Sequence, residues 1–360
     1  MRKNSYPYPI EFAEDIFAEG NTLLIDTLKA VTGCEKPRMM LVADANVVQK
    51  TEGLGSKMGK YIKANGIELV DKPILLAGGE RVKGDNWQSA ARIEQGMLAA
   101  QIGHNDCLVA MGGGTVLDVA SYAGAQVRGG VKIVKIPTTL AAQVDAAYAD
   151  NAAMDYPGIK DAYRIVSAPS AVIVDTAFVK TVVDAVWRGG FAECLRVALP
   201  SDGPLAKKLI AHKDSFKARD EKYWGEVVQT LVALRMKKGE THFAQWGAFR
   251  LESMSSFKLP HGYATAIGIV MEANYAMNKG VMSEKDRNTV VTALEECGSL
   301  EGAVHSRHLV TQADSVLQGL DAWKLAMGSE AIVIPEGMGK SVVEETVDRE
   351  VMKKSLHMIK

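Results

Sequence analysis

The chain has 360 residues, 47% hydrophobic and 24% charged, with 42 Lys plus Arg against 43 Asp plus Glu. That length exceeds the roughly 250–300 residues at which one hydrophobic core stops growing, so two domains are expected, and the near balance of charge excludes a global field for nucleic acid or an anionic membrane. No apolar run approaches the ~18 residues of a membrane helix, the opening lacks a charged-then-apolar leader, and Cys34, Cys107, Cys194 and Cys297 show no Cys-x-x-Cys spacing, so a cytoplasmic protein with reduced thiols is expected.

Up to about Asp175, short β-branched runs alternate with amphipathic stretches. The runs begin at Arg38, Gly66, Cys107 and Lys132, and the rhythm is that of a parallel sheet. After the turn Gly112-Gly113-Gly114, the residues Val116, Val119, Ala120 and Ala123 recur at helical spacing, a face for packing on the sheet. Beyond Asp175 helical stretches take over, such as 226–238 and 262–277, with one late strand and turn at Glu330–Pro335 and Glu336–Lys340. The expected fold is α/β, with a parallel-sheet nucleotide-binding domain at 1–180 and a mainly α-helical domain at 181–360.

The strongest chemical feature is Met111-Gly-Gly-Gly-Thr-Val-Leu-Asp118, directly after an apolar strand and before a helix. Three residues without side chains let backbone N–H groups approach a pyrophosphate, and the helix N-terminus favours negative charge. The spacing is not Gly-x-Gly-x-x-Gly, so a different dinucleotide fold is implied. Asp44-Ala-Asn46-Val47 and Gly79-Glu80-Arg-Val-Lys83 follow strand ends, where each alone reads equally as turn or surface residues. Ile136-Pro-Thr138-Thr139-Leu-Ala-Ala-Gln-Val-Asp145 then joins hydroxyls, an amide and an acid within ten residues.

With these four motifs in order, the chain resembles the dehydroquinate synthase family of the wider sugar phosphate cyclase and iron-dependent alcohol dehydrogenase superfamily. Tyr156-Pro-Gly-Ile-Lys160-Asp161 and the segment Pro169 to Thr181 extend the likeness, which covers about residues 40–200 and returns at Leu259-Pro-His261-Gly and near Lys324 and Glu336-Gly-Met-Gly-Lys340. The resemblance implies NAD bound by Asp44, Asn46, Val47, Glu80, Lys83, Gly112, Gly113, Gly114, Asp118, Thr138, Thr139, Asp145, Lys160 and Thr181. It implies a divalent metal, zinc or cobalt, on one Glu and two His, with Glu193 and His261 matching two of them. The middle ligand is missing: the family's Gly-His-x-x-Gly-His reads Phe243-Ala-Gln-Trp-Gly-Ala-Phe249 here, which places the lost histidines at Ala244 or Gln245 and at Ala248. His242 or Gln245 is the expected replacement, since a three-residue displacement stays on one helix face; a weakened site is the alternative.

Asp145, Lys160, Arg196, Lys237, Lys324 and Arg128 are the implied catalytic and phosphate-contacting residues, Arg128 reaching the partner subunit of a homodimer. Asn151 stands where the family has Lys and Asp161 where it has Asn, which lowers the local charge by two units. The implied activity is that of a lyase, an NAD-dependent sugar phosphate cyclase acting on a phosphorylated sugar in a cleft between domains. An NAD(P)-dependent, metal-assisted alcohol or polyol dehydrogenase and a non-catalytic NAD or sugar phosphate binder are the alternatives.

Overall fold

A computed structural model describes residues 6–359 and divides the chain into two compact units, Met1–Val182 and Val183–Lys360. The first unit is built on β1 (Ile10–Ala13), β2 (Arg38–Asp44), β3 (Glu68–Leu69), β4 (Ile74–Leu76), β5 (Cys107–Gly112), β6 (Lys132–Pro137), β7 (Asn151–Tyr156), β8 (Ile159–Val166) and β9 (Ala171–Asp175). Seven of these form one parallel sheet in the order β1-β9-β6-β5-β2-β3, with β4 beside β2, while β7 and β8 pair antiparallel. All residues of β5 and β9 are buried, as expected of strands covered on both faces, which read as continuous apolar runs.

The chain leaves β2 for β3 and β4 on one side and returns to β5 on the other. This places a topological switch point between the carboxyl ends of β2 and β5, where ligands settle in open parallel sheets. Asp44 ends one strand and Gly112 the other.

The second unit is helical apart from one antiparallel pair, β10 (Ile332–Pro335) and β11 (Ser341–Glu344). Its centre is the helix His261–Asn278, buried without interruption from Tyr263 to Ala276. A helix apolar on all sides must be enclosed, and this one is packed by the helices Asp184–Ala198, Gln245–Met254 and Arg349–His357.

One core residue opposes its surroundings. Val134 and Ile136 belong to the apolar cluster on one sheet face, and Lys135 between them is wholly buried, its Nζ without a hydrogen-bond partner among the described residues. Burial pulls its pKa from 10.5 to about 8, against the partial support of Asp118 and Asp150. The folded value lies below the unfolded one, so the penalty is full below pH 8 and fades as pH rises towards 10.5. Lys135→Met is therefore expected to raise unfolding stability at pH 7 by about 2–3 kcal/mol, an order-of-magnitude figure. Denaturant titrations at pH 7 and pH 10 test this: the gap between variant and wild type should narrow at the higher pH, and equal stabilities at pH 7 would contradict it.

Candidate active site

In the first unit the predicted cofactor residues gather at the carboxyl ends of the strands. Asp44 caps the helix Ala45–Lys50 by accepting from the Asn46 N–H at 2.8 Å, and Val47 is buried beneath that turn. A Cβ at Gly78 would stand 2.6 Å from Asp44 Oδ2 and 3.2 Å from Asn46 Nδ2, so the loop after β4 closes on this pair only because residue 78 is glycine. Gly112, Gly113 and Gly114 lead from β5 into the 13-residue helix Gly114–Gln126. A Cβ at Gly113 would lie 3.1 Å from Thr139 Cγ2, and one at Gly114 would lie 3.2 Å from Ala146 Cβ. The backbone there is open to an approaching group but closed to its own side chains.

The Thr138 N–H donates to the Gly112 carbonyl at 2.9 Å, which stitches the turn after β6 to the glycines. Thr139 caps the short helix Leu140–Val144, and the nearly buried Asp145 ends it. Thr181 donates to the Phe178 carbonyl, and Arg128 adopts a left-handed backbone conformation after the Gly114–Gln126 helix.

Glu80, Lys83, Asp118 and Lys160 converge with Asp155 and Asp161 into one buried network. Lys83 donates to Asp118 at 2.9 Å and to Asp161, Lys160 pairs with Glu80, and Thr115 donates to Glu80 at 3.0 Å. Burial alone would lower the Lys83 pKa, yet Asp118, Asp161, Glu80 and Asp155 hold it well above its usual value. Burial pushes Asp155 up to about 7. Glu80, Asp155 and Asp161 are the one trio of metal-capable groups within 4.8 Å of one another among the described residues. Their partners are two ammonium groups, so this is a lysine–carboxylate network, poorly suited to a metal.

In the second unit, two helices touch at a glycine pair. A Cβ on Gly262 would stand 2.5 Å from the Gly189 carbonyl carbon, and one on Gly189 would stand 2.8 Å from Gly262 Cα. This contact brings Glu193, one turn beyond Gly189, to His261 at the start of the next helix. Glu193 is 1% exposed. Its Oε2 accepts from Arg196 Nε at 3.0 Å, and its Oε1 lies 3.3 Å from His261 Nε2. Burial alone would raise the Glu193 pKa, but Arg196, His261 and the Thr265 hydroxyl bring it below its usual value.

The other ring nitrogen of His261, Nδ1, lies 3.0 Å from Oε1 of the fully buried Glu252. A carboxylate at Nδ1 fixes the proton there and leaves the Nε2 lone pair facing Glu193, which is how metal-binding histidines are oriented. The Glu193 oxygen and the His261 nitrogen are donors that suit zinc or cobalt. As a pair they fit a divalent ion, with other coordination positions left to water or substrate.

The expected third ligands, His242 and Gln245, have partners of their own. His242 Nδ1 is 2.8 Å from Gln245 Oε1, Gln245 donates to Glu240, and the His242 ring meets Trp323 edge to face. They engage one another, and the third group on the histidine is Glu252. The reason lies at Ala244, which takes a left-handed conformation, donates its N–H to Glu272 and presses against Gly268. A histidine there would meet the central helix. Glu252 escaped the sequence reading. Its signal was seven-residue spacing from Gln245, two turns along one helix face.

Arg196 also donates to the Thr241 carbonyl at 2.9 Å. Lys237 is exposed, and Lys324 pairs with Glu330 at 3.6 Å.

The 3-dehydroquinate synthase N-terminal family model matches residues 73–188. The 3-dehydroquinate synthase of Rhodopseudomonas palustris is 27% identical over 313 residues, covering 79% of this chain and 78% of that one. The Pyrobaculum islandicum 3-dehydroquinate synthase is 28% identical over 276 residues, covering 71% and 78%. Over most of its length this chain is thus similar to 3-dehydroquinate synthases. Solved structures share its fold: a 2-epi-5-epi-valiolone synthase from Streptomyces hygroscopicus subsp. jinggangensis with NAD+ and Zn2+ bound has a TM-score of 0.85 at 20% identity, covering 99% of this chain and 97% of that one. A 2-deoxy-scyllo-inosose synthase complexed with carbaglucose-6-phosphate, NAD+ and Co2+ has a TM-score of 0.75 at 16% identity, covering 96% and 95%. The NADH-dependent butanol dehydrogenase A of Thermotoga maritima is more distant, at a TM-score of 0.64 and 14% identity over 99% and 98%.

Removing one partner of a buried ion pair strands the other charge, at a typical cost of about 3–5 kcal/mol. Arg196→Met is accordingly expected to lower the unfolding free energy by that order, and Arg196→Lys by clearly less, because a cation remains beside Glu193. Equal losses in the two variants, read by urea unfolding, would show that shape and not charge matters at this position.

Proposed function

We propose that this chain is an NAD-dependent sugar phosphate cyclase of the 3-dehydroquinate synthase type, a carbon–oxygen lyase. The reaction is a transient oxidation of a sugar hydroxyl, elimination of phosphate from the activated carbon, return of the hydride, and aldol closure to a carbocycle. The reading rests on the Glu193–His261 pair with Glu252 behind the ring, supported by named synthases at 27–28% identity along most of the chain.

NAD supplies the hydride acceptor and a divalent metal supplies Lewis acidity when both are bound. The work of the chain is to hold and orient. The glycines at 112–114 and the helix after them take the pyrophosphate, and Asp44 with Asn46 takes adenosine hydroxyls. Val47, Glu80, Lys83, Asp118, Thr138, Thr139, Asp145, Lys160 and Thr181 complete the cofactor surroundings. Glu193 and His261 would hold the metal, while Glu252 keeps the proton on Nδ1 of the ring. Arg196 balances the Glu193 charge from the side away from His261. Lys160, Lys237, Lys324 and Arg128 are assigned to the anionic groups of the phosphorylated sugar, Arg128 across the interface of a homodimer.

Two measurements test this. With a phosphorylated ketose or heptulosonate, turnover is expected to release inorganic phosphate while no NADH accumulates; stoichiometric NADH without phosphate would establish a dehydrogenase instead. Gly113→Val is expected to weaken NAD binding at least tenfold by calorimetry, because its side chain meets Thr139. Unchanged affinity would remove the nucleotide from this turn.

A further inference from the structure

Asp155 has no assigned role in the first unit, yet it lies at the centre of the lysine–carboxylate network. The network draws Glu80 and Lys83 from the turn after β4, Asp118 from the helix Gly114–Gln126, Asp155 from β7, and Lys160 and Asp161 from β8. Two further cations border it. Arg164 meets Asp161 at 3.6 Å from the exposed side, and Lys135 on β6 acts on Asp118.

The donors are unevenly shared. Glu80 has Lys160 and the Thr115 hydroxyl, while Asp118 and Asp161 both have Lys83. Asp155 has less. Its Oδ1 accepts the Asp161 N–H at 2.8 Å and lies 4.0 Å from Lys83, and its Oδ2 is buried with no hydrogen-bond partner among the described residues. An ionised oxygen in that position has lost water and gained nothing in return. A proton on Oδ2 removes the charge and makes the oxygen a donor, with carboxylates close by: one oxygen each of Glu80, Asp155 and Asp161 lie within 4.8 Å of one another. Carboxyl groups crowded in this way retain a proton between them. In agreement, burial pushes Asp155 up to about 7, against the opposing pull of Lys160 and Lys83.

The network is tied to the glycine turn by the helix that follows it. Thr115, directly after Gly114, donates to Glu80 at 3.0 Å, and Asp118 on the same helix accepts from Lys83 at 2.9 Å. On the reading of 112–114 as the cofactor turn, we propose that Asp155 is held as the neutral acid and acts as a positioning residue: its proton keeps Glu80 on Thr115 and spares the anionic cofactor a further buried negative charge. The linkage has a definite sign. A bound pyrophosphate favours the protonated network, so NAD binding takes up a proton near pH 7, and affinity falls as pH rises past the value at which Asp155 ionises.

Calorimetric titration of the full chain with NAD at pH 7, in PIPES and in Tris, counts the protons taken up, because the two buffers differ in ionisation enthalpy. Wild type should take up a measurable fraction of one proton and bind NAD at least about threefold more tightly at pH 6 than at pH 8.5. Asp155→Asn, which mimics the neutral acid, should take up none and keep the tighter affinity at both pH values. In the free chain, infrared difference spectra between pH 6 and pH 8.5 should show a carboxylic-acid band that disappears at the higher pH and is missing from the variant. NAD binding without proton uptake, or with the same uptake in Asp155→Asn, would overturn this role alone. Failure of NAD to bind at any pH would overturn it together with the cofactor assignment.

Discussion

A carboxylate buried to 1% exposure does not remain ionised unless the protein replaces the water it has lost. Glu193 is compensated on Oε2 by the Arg196 guanidinium, and the Thr265 hydroxyl adds to this, while Oε1 faces the Nε2 of His261. Much else in the second unit exists to keep these groups together. The Gly189–Gly262 contact sets the spacing of the two helices, Glu252 sets the ring of His261, and Arg196 ties the ensemble to the backbone at Thr241. Shortening this chain of contacts at any point leaves a charge without solvent.

The first unit handles buried charge differently. At the carboxyl edge of its sheet, Lys83 and Lys160 are shared among Glu80, Asp118, Asp155 and Asp161, with burial raising Asp155 to about 7. Beside this self-neutralising network, the glycines at 112–114 present backbone without side chains at the switch point between β2 and β5. Rigid ionic scaffolding next to an open backbone turn suits a ligand that needs orientation more than additional charge.

Much of this was legible in the sequence because local patterns and tertiary demands agree. Runs starting at Arg38, Cys107 and Lys132 became β2, β5 and β6, since central parallel strands must be apolar on both faces. The face of Val116, Val119, Ala120 and Ala123 is buried as its spacing predicts. The β7–β8 hairpin was not read, because β7 is rich in alanine and most of β8 is exposed or half-buried, so neither run shows the alternation of a half-buried strand. At the candidate site the motifs located Glu193 and His261, but helical spacing alone pointed to His242 and Gln245 as partners. Ala244, in a left-handed conformation, places that segment against Gly268, and the group that reaches His261 is Glu252, two turns further on. A motif records which residues are near in sequence; the contact depended on how closely two helices could approach.

The central claim is that Glu193 and His261 together form the metal-binding pair of a cyclase-type centre. Anomalous diffraction at the cobalt edge, from crystals grown with cobalt and NAD, tests it most directly. The account predicts one strong peak bonded to Glu193 Oε1 and His261 Nε2, with Glu252 retained on Nδ1. A peak among Glu80, Asp155 and Asp161, or no peak at full cobalt saturation of the crystal, would contradict it.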